Sequence, residues 1–142
     1  MKSFLKSFRI GKSGGEALGP LEGVIMEVLW KKGGLTGREV YKEVLRAKKV
    51  AYTTVLTVLE RLVNKGLVKK EKGEEGYMFS ALYSKGEFEG FVAREVLKGV
   101  LELSQSTAIV NFVDLLAEED PKELERLKRL VEEKSRELGK KD

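Results

Sequence analysis

The stretch VAYTTVLTVLERLVNKGLV, residues 50–68, decides the architecture. Successive residues set about 100° apart place Val55, Val58, Leu59, Leu62 and Val63 on one side, with Leu56 at its edge. Thr53, Thr54, Thr57, Glu60, Arg61 and Asn64 gather on the other side. The pattern predicts a helix from about Tyr52 to Lys65, closed by Gly66 in the left-handed conformation with Leu67 as its hydrophobic partner. Three threonines on an exposed helix face are unusual, because β-branching lowers helix propensity. They do suit a major groove, where the hydroxyl meets a phosphate or base edge and the methyl packs on thymine. Arg61 extends from the same face towards a phosphate or a guanine edge. The plain alternative is a tolerated solvent face with no partner.

Upstream, Pro20 suits the first turn of a helix, and Leu21, Val24, Ile25, Val28 and Leu29 predict one buried face running to Trp30. Gly33 and Gly34 stop that helix. Thr36-Gly-Arg-Glu39 is a capping box for the next one, which is expected to bury Val40, Tyr41, Val44 and Leu45 and to end near Lys48-Lys49. Downstream, Leu67–Glu71 and Tyr77–Leu82 alternate as two short strands, with residues 72–76 as their hairpin loop. Three short helices followed by a hairpin predict a winged helix-turn-helix. Lys69, Lys70 and Lys72 would then face phosphates from the wing, contacts that position without specifying sequence. Edge lysines equally serve to block strand aggregation.

The rest of the chain reads as helix. Glu87–Leu103 is one segment, and a shorter one lies around Thr107–Ala117. A last one opens at Asp120-Pro-Lys-Glu123, with Asp120 as N-cap, Pro121 at the first position and Glu123 closing the box. Leu124, Leu127, Val131 and Leu138 form an a/d-like stripe. Such a stripe often serves an intramolecular core. Three helices strung after a small domain have little else to bury against, which favours a dimerisation arm built on Leu97, Leu101, Phe112, Leu116, Leu124, Leu127 and Val131. The expected class is therefore mainly α with a small β-hairpin wing. Its expected parts are a basic extension (1–17), a DNA-binding domain (18–84) and a helical dimerisation domain (85–142).

Composition narrows the function. The 142 residues include no cysteine and no histidine. Their absence removes disulfides, thiolate nucleophiles, histidine bases and conventional zinc or copper sites. No nucleophile–base pair, metal set or phosphate cradle is present either, so neither an enzyme, a cofactor nor a small-molecule substrate is expected. Residues 1–80 carry 16 Lys and Arg against 9 Asp and Glu, while residues 81–142 carry 11 against 14. A basic half joined to an acidic helical half suits one part that meets a polyanion and another that does not. No apolar run exceeds three residues, far short of a membrane span. The N-terminal stretch, with Phe4, Leu5 and Phe8 among Lys6 and Arg9, lacks the features of a secretory signal. It reads as a frayed tail or a docking arm before the glycines at 11, 14 and 15. A cytoplasmic protein is expected.

Residues 50–68 closely resemble the recognition-helix segment of the penicillinase-repressor family (the BlaI/MecI/CopY type). Glu22, Val28 and Trp30 in the first helix resemble it too, as does the order of three helices, wing and helical arm. The likeness runs from about Leu18 to Leu138. It implies a homodimeric repressor on inverted repeats of TACA/TGTA type, with Thr54, Thr57 and Arg61 matching the family's recognition residues; some relatives carry a lysine at the position of Thr53. Copper-responsive members carry a cysteine-rich tail, which this chain does not have. β-Lactam-responsive members are cut at an Asn–Phe bond by a membrane sensor protease, and Asn111-Phe112 resembles that site. Val110, Phe112 and Val113 would equally serve a dimer core with no protease involved. A second reading from another class is a winged-helix protein-interaction module with incidental DNA contact.

Overall fold

The computed structural model describes residues 18–141; the expected basic extension, 1–17, lies outside them. Helix α1 spans Pro20–Lys32. Proline stands at its first position, where the missing N–H has no helical partner to lose. Glu22 accepts from the Gly19 amide at 3.0 Å, and Gly33 (φ 82°) ends the helix. Strand β1, Leu35–Thr36, leads directly into α2, Gly37–Leu45. The capping box forms as expected: Glu39 N donates to Thr36 Oγ1 and Thr36 N to Glu39 Oε1, both at 3.2 Å.

Helix α3 spans Tyr52–Asn64. Its end is a Schellman motif: Leu67 N donates to the Leu62 carbonyl and Gly66 N to the Val63 carbonyl, each at 3.0 Å, with Gly66 at φ 80°. Strands β2 (Val68–Gly73) and β3 (Gly76–Ala81) pair antiparallel from Val68↔Ala81 to Gly73↔Gly76. The loop expected over 72–76 is therefore a turn around Glu74-Glu75, because Gly76 at φ 120° lets the ladder continue to the tip. Strand β1 joins β3, giving the order β1-β3-β2. A two-residue strand has no periodicity to read; only its pairing of Leu35 with Phe79 and Thr36 with Met78 defines it.

The core gathers α1, α2, α3 and the sheet around Ile25, Met26, Leu29, Val40, Val44, Val55, Leu59, Leu62, Leu67, Val68 and Phe79. Each such side chain contributes on the order of 2 kcal/mol on burial. Three expectations shift here. Met26 is buried while Leu21, Val24 and Val28 are half-buried, so the α1 stripe is rotated. Helix α2 stops at Leu45 instead of Lys48-Lys49, which leaves Leu45 exposed. Tyr41 is only half-buried, its ring edge-on to Tyr52 at 5.4 Å.

Helix α4 runs Lys85–Leu103, α5 Gln105–Glu119 and α6 Lys122–Lys141. Ser84 and Glu87 form a second capping box that starts α4 earlier than expected. Asp120 caps Lys122 N at 3.2 Å, but Glu123 turns to Arg126 instead of closing a box. The chain divides into two compact units, one ending at Val96 and the next beginning at Leu97. The first includes the start of α4, where Phe88 is buried in the core with Val92 packed against it. Trp30 secures this stretch, its ring packed at a tilt against Phe88 with centroids 5.5 Å apart and its Nε1 donating to the Tyr83 carbonyl at 3.0 Å. In the second unit α5 packs on α6, yet no side chain among residues 97–140 is buried.

Candidate nucleic-acid interface

Helix α3 is held by one face and presents the other. Val55, Leu59 and Leu62 are fully buried and Val58 nearly so, while Thr53, Thr54, Thr57, Arg61 and Asn64 are exposed. The division follows the spacing read from the sequence, since a 3.6-residue period turns alternate triplets inward. Thr57 Oγ1 donates to the Thr53 carbonyl at 2.9 Å. That bond fixes its rotamer and leaves the oxygen lone pairs and the methyl facing outward.

Two hollows flank the helix. The larger, about 1060 Å³, lies between α2, α3 and the hairpin, and the smaller, about 400 Å³, lies beside Leu21. Thr57 and Arg61 line both. They therefore stand on a ridge between two grooves, the shape that a helix entering a major groove presents to the strands on either side.

The wing lysines divide. Lys69 pairs with Glu71 on its own strand at 2.6 Å. Lys70 pairs with Glu60 of α3, its ammonium 4.3 Å from the Tyr77 ring centroid. Lys72, opposite Tyr77 in the ladder, is exposed and has no carboxylate partner among the described residues.

Residues 18–133 match the penicillinase repressor family. The chain belongs to that family. The transcriptional regulator BlaI of Mycobacterium tuberculosis is 29% identical over 111 residues, covering 77% of this chain and 80% of that protein. The penicillinase repressor of Staphylococcus aureus is 24% identical over 112 residues, covering 79% and 88%. Among solved structures, the DNA-binding domain of the repressor BlaI aligns at 23% identity with a TM-score of 0.44, over 55% of this chain and 89% of that one. The family is one of transcriptional repressors, not of enzymes. Among the described residues no helix is long and apolar enough to cross a membrane, and no cluster of acidic side chains could hold a metal ion.

In this repressor the larger groove adds residues that the helical wheel of α3 alone did not reveal. Arg38 and Lys42 of α2 line it, beside Tyr52 and the Asn64 already placed on the exposed face of α3. The Arg38 guanidinium lies 5.2 Å from the centroid of the Tyr52 ring, which itself meets Tyr41 edge-on. The contact orders a cation beside α3 without neutralising it. The signal was present in the sequence as Arg38 and Lys42 one turn apart. Nothing in one helix read alone says that its polar face borders another helix's groove.

A partly buried pair braces α3 from behind. Glu22 is 7% exposed and binds Lys65 Nζ at 2.6 Å, joining α1 to the end of α3. Burial pushes the Glu22 carboxyl up, but the hydrogen bonds from Lys65 and the Gly19 amide, with the charges of Lys65 and Arg61, outweigh it and hold the carboxyl below its ordinary range. A carboxyl lowered in the folded state stabilises at neutral pH, and that contribution is lost as pH falls through its folded value. Glu22→Gln is expected to cost about 1 to 3 kcal/mol at pH 7. Its deficit against the parent should shrink as pH falls from about 5 through the glutamate range. Urea melts at several pH values check this, and a deficit that does not change with pH would refute the assignment.

Proposed function

We propose that the protein represses transcription by occupying operator DNA as a homodimer in the cytoplasm, with α3 of each subunit in a major groove. The observation that carries this is the exposed ridge of Thr53, Thr54, Thr57 and Arg61, seated on a fully buried face and flanked by two grooves. Thr54, Thr57 and Arg61 meet base edges and Thr53 adds to them, on inverted repeats of the TACA/TGTA type that the family resemblance implies. Lys69 and Lys72 place the wing beside the neighbouring phosphates, while Lys70 on the same wing is engaged by Glu60 of α3. The names of the two curated relatives, a transcriptional regulator and a repressor, support this reading.

Dimerisation falls to the segment from residue 85 onward, with residues 18–84 as the DNA-binding part. Leu97, Leu101, Phe112 and Val131 are exposed and Leu116, Leu124 and Leu127 half-buried in the single chain. A helical unit with this much apolar surface and no buried side chain is the kind that a second copy completes. The Asn111–Phe112 bond lies in mid-α5, where Asn111 Nδ2 donates to the Thr107 carbonyl at 2.8 Å. A membrane sensor protease that cuts there would have to unwind a turn of this helix first.

Selection of random duplexes on the purified protein, followed by anisotropy titration, tests the proposal. An enriched palindrome is expected. Arg61→Ala should weaken binding to it by about 1 to 3 kcal/mol while scrambled DNA changes far less. No enriched sequence, with binding that fades as salt rises, would instead indicate electrostatics alone and favour a protein-interaction module.

A further inference from the structure

Glu60 is a carboxylate on the recognition helix, between Thr57 and Arg61, where an approaching phosphate strand would repel it. Its charge is met by Lys70, which reaches across from β2 on the wing. That ammonium also faces aromatic rings, with centroids at 4.3 Å for Tyr77 and 5.9 Å for Phe79. The Lys70 side chain is 29% exposed, and its cross-strand partner is the buried Phe79. Its stem is thus seated on the sheet while its head joins the wing to α3. Lys69, by contrast, pairs within its own strand, a contact that orients the wing against nothing.

We propose that Glu60 and Lys70 are positioning residues: a latch that fixes the wing at a set spacing from Thr57 and Arg61, with Lys70 holding Glu60 in place of a phosphate. Beyond the β1 pairing at Phe79 and Met78 the ribbon has only two strands, and a two-stranded ribbon by itself is only marginally ordered. A tie to the recognition helix makes the wing and the base-reading ridge approach DNA as one surface, and the ordering is complete before binding. The proposal rests on the reading that α3 enters the major groove. It differs from a phosphate contact in sign, because either half of a latch is useless without the other.

The test uses the full chain with Glu60→Gln, Lys70→Met and the double variant, titrated against the selected operator and against scrambled DNA across salt. The preference for operator over scrambled DNA should fall by about three- to tenfold in both single variants, the range for one ion pair with a cation–π contact. The double variant should be no worse than either single one, and the operator salt slope should stay at the parent value. Hydrogen exchange at the β2 and β3 amides of the free protein should accelerate in all three. If Lys70→Met lowers the salt slope by about 1 while Glu60→Gln keeps or raises the preference, Lys70 is a phosphate contact and the latch is wrong. Unchanged exchange in the wing would also overturn it. Parent protein with no preferred sequence would instead refute the DNA reading, and the exchange measurement would still judge the latch.

Discussion

Under the proposed homodimeric arrangement, glutamate at Leu101 and Val131 is expected to leave the protein monomeric and to lower operator affinity by about 100- to 10,000-fold. The magnitude follows from linkage: a dimer's second half-site binds at the effective concentration set by the first, and a monomer loses that gain. Both residues are suitable because they are already exposed in the single chain, 45% for Leu101 and 56% for Val131. Charging them removes no contact from the subunit's own core, so helical circular dichroism should stay at the parent level. Introducing carboxylates into an apolar seam, in contrast, leaves buried charges with no partner. Sedimentation velocity reports the assembly and anisotropy the affinity. A variant that still sediments as a dimer would place the interface elsewhere. One that is monomeric yet binds operator as tightly as the parent would disprove the two-half-site arrangement.

Leu59→Ala should have the largest effect on stability, a loss of about 2 to 5 kcal/mol, since a fully enclosed leucine leaves both a lost transfer term and a cavity. Leu59 is 0% exposed and sits mid-α3, among Val55, Val58 and Leu62 on the face that seats the helix. Against a total stability of about 5 to 15 kcal/mol, the first unit would be partly unfolded at physiological temperature. Operator binding would then fall with the folded fraction and recover on cooling. An Arg61→Ala defect would not recover, because it removes a contact and leaves the fold intact. Thermal melts paired with titrations at two temperatures separate the two. A Leu59→Ala protein that melts within a few degrees of the parent would mean the α3 seat tolerates collapse.

What the residues disclosed in advance was whatever one element decides within itself. The α3 face, the Gly66 cap and the Thr36 box are local, set by spacings of three and four residues and by one backbone dihedral, and each is where the spacing placed it. The errors lie where a neighbour arbitrates. Met26 displaced Leu21 and Val24 because the packing angle of α1, which no α1 residue encodes alone, chose the inward face. Leu45 was left exposed when α2 ended a turn early, and β1 exists only as a partner for β3. The exposure of Thr57 and Arg61 was legible from the helical wheel, whereas the placement of Arg38 in the groove and the Glu60–Lys70 pair were not.

The amino-acid order by itself determined the helices, the hairpin, the exposed threonine–arginine ridge and the exclusion of cysteine and histidine chemistry, because periodicity and composition are properties of a linear string. Only the tertiary structure decided that Arg38 borders the groove, that Glu22 of α1 braces the end of α3, and that a wing lysine pairs with a carboxylate of α3. Those pairings join residues 10 to 43 positions apart. Ion pairs and ring contacts act over only a few ångströms, so no spacing rule can foretell them until the core has brought the elements together.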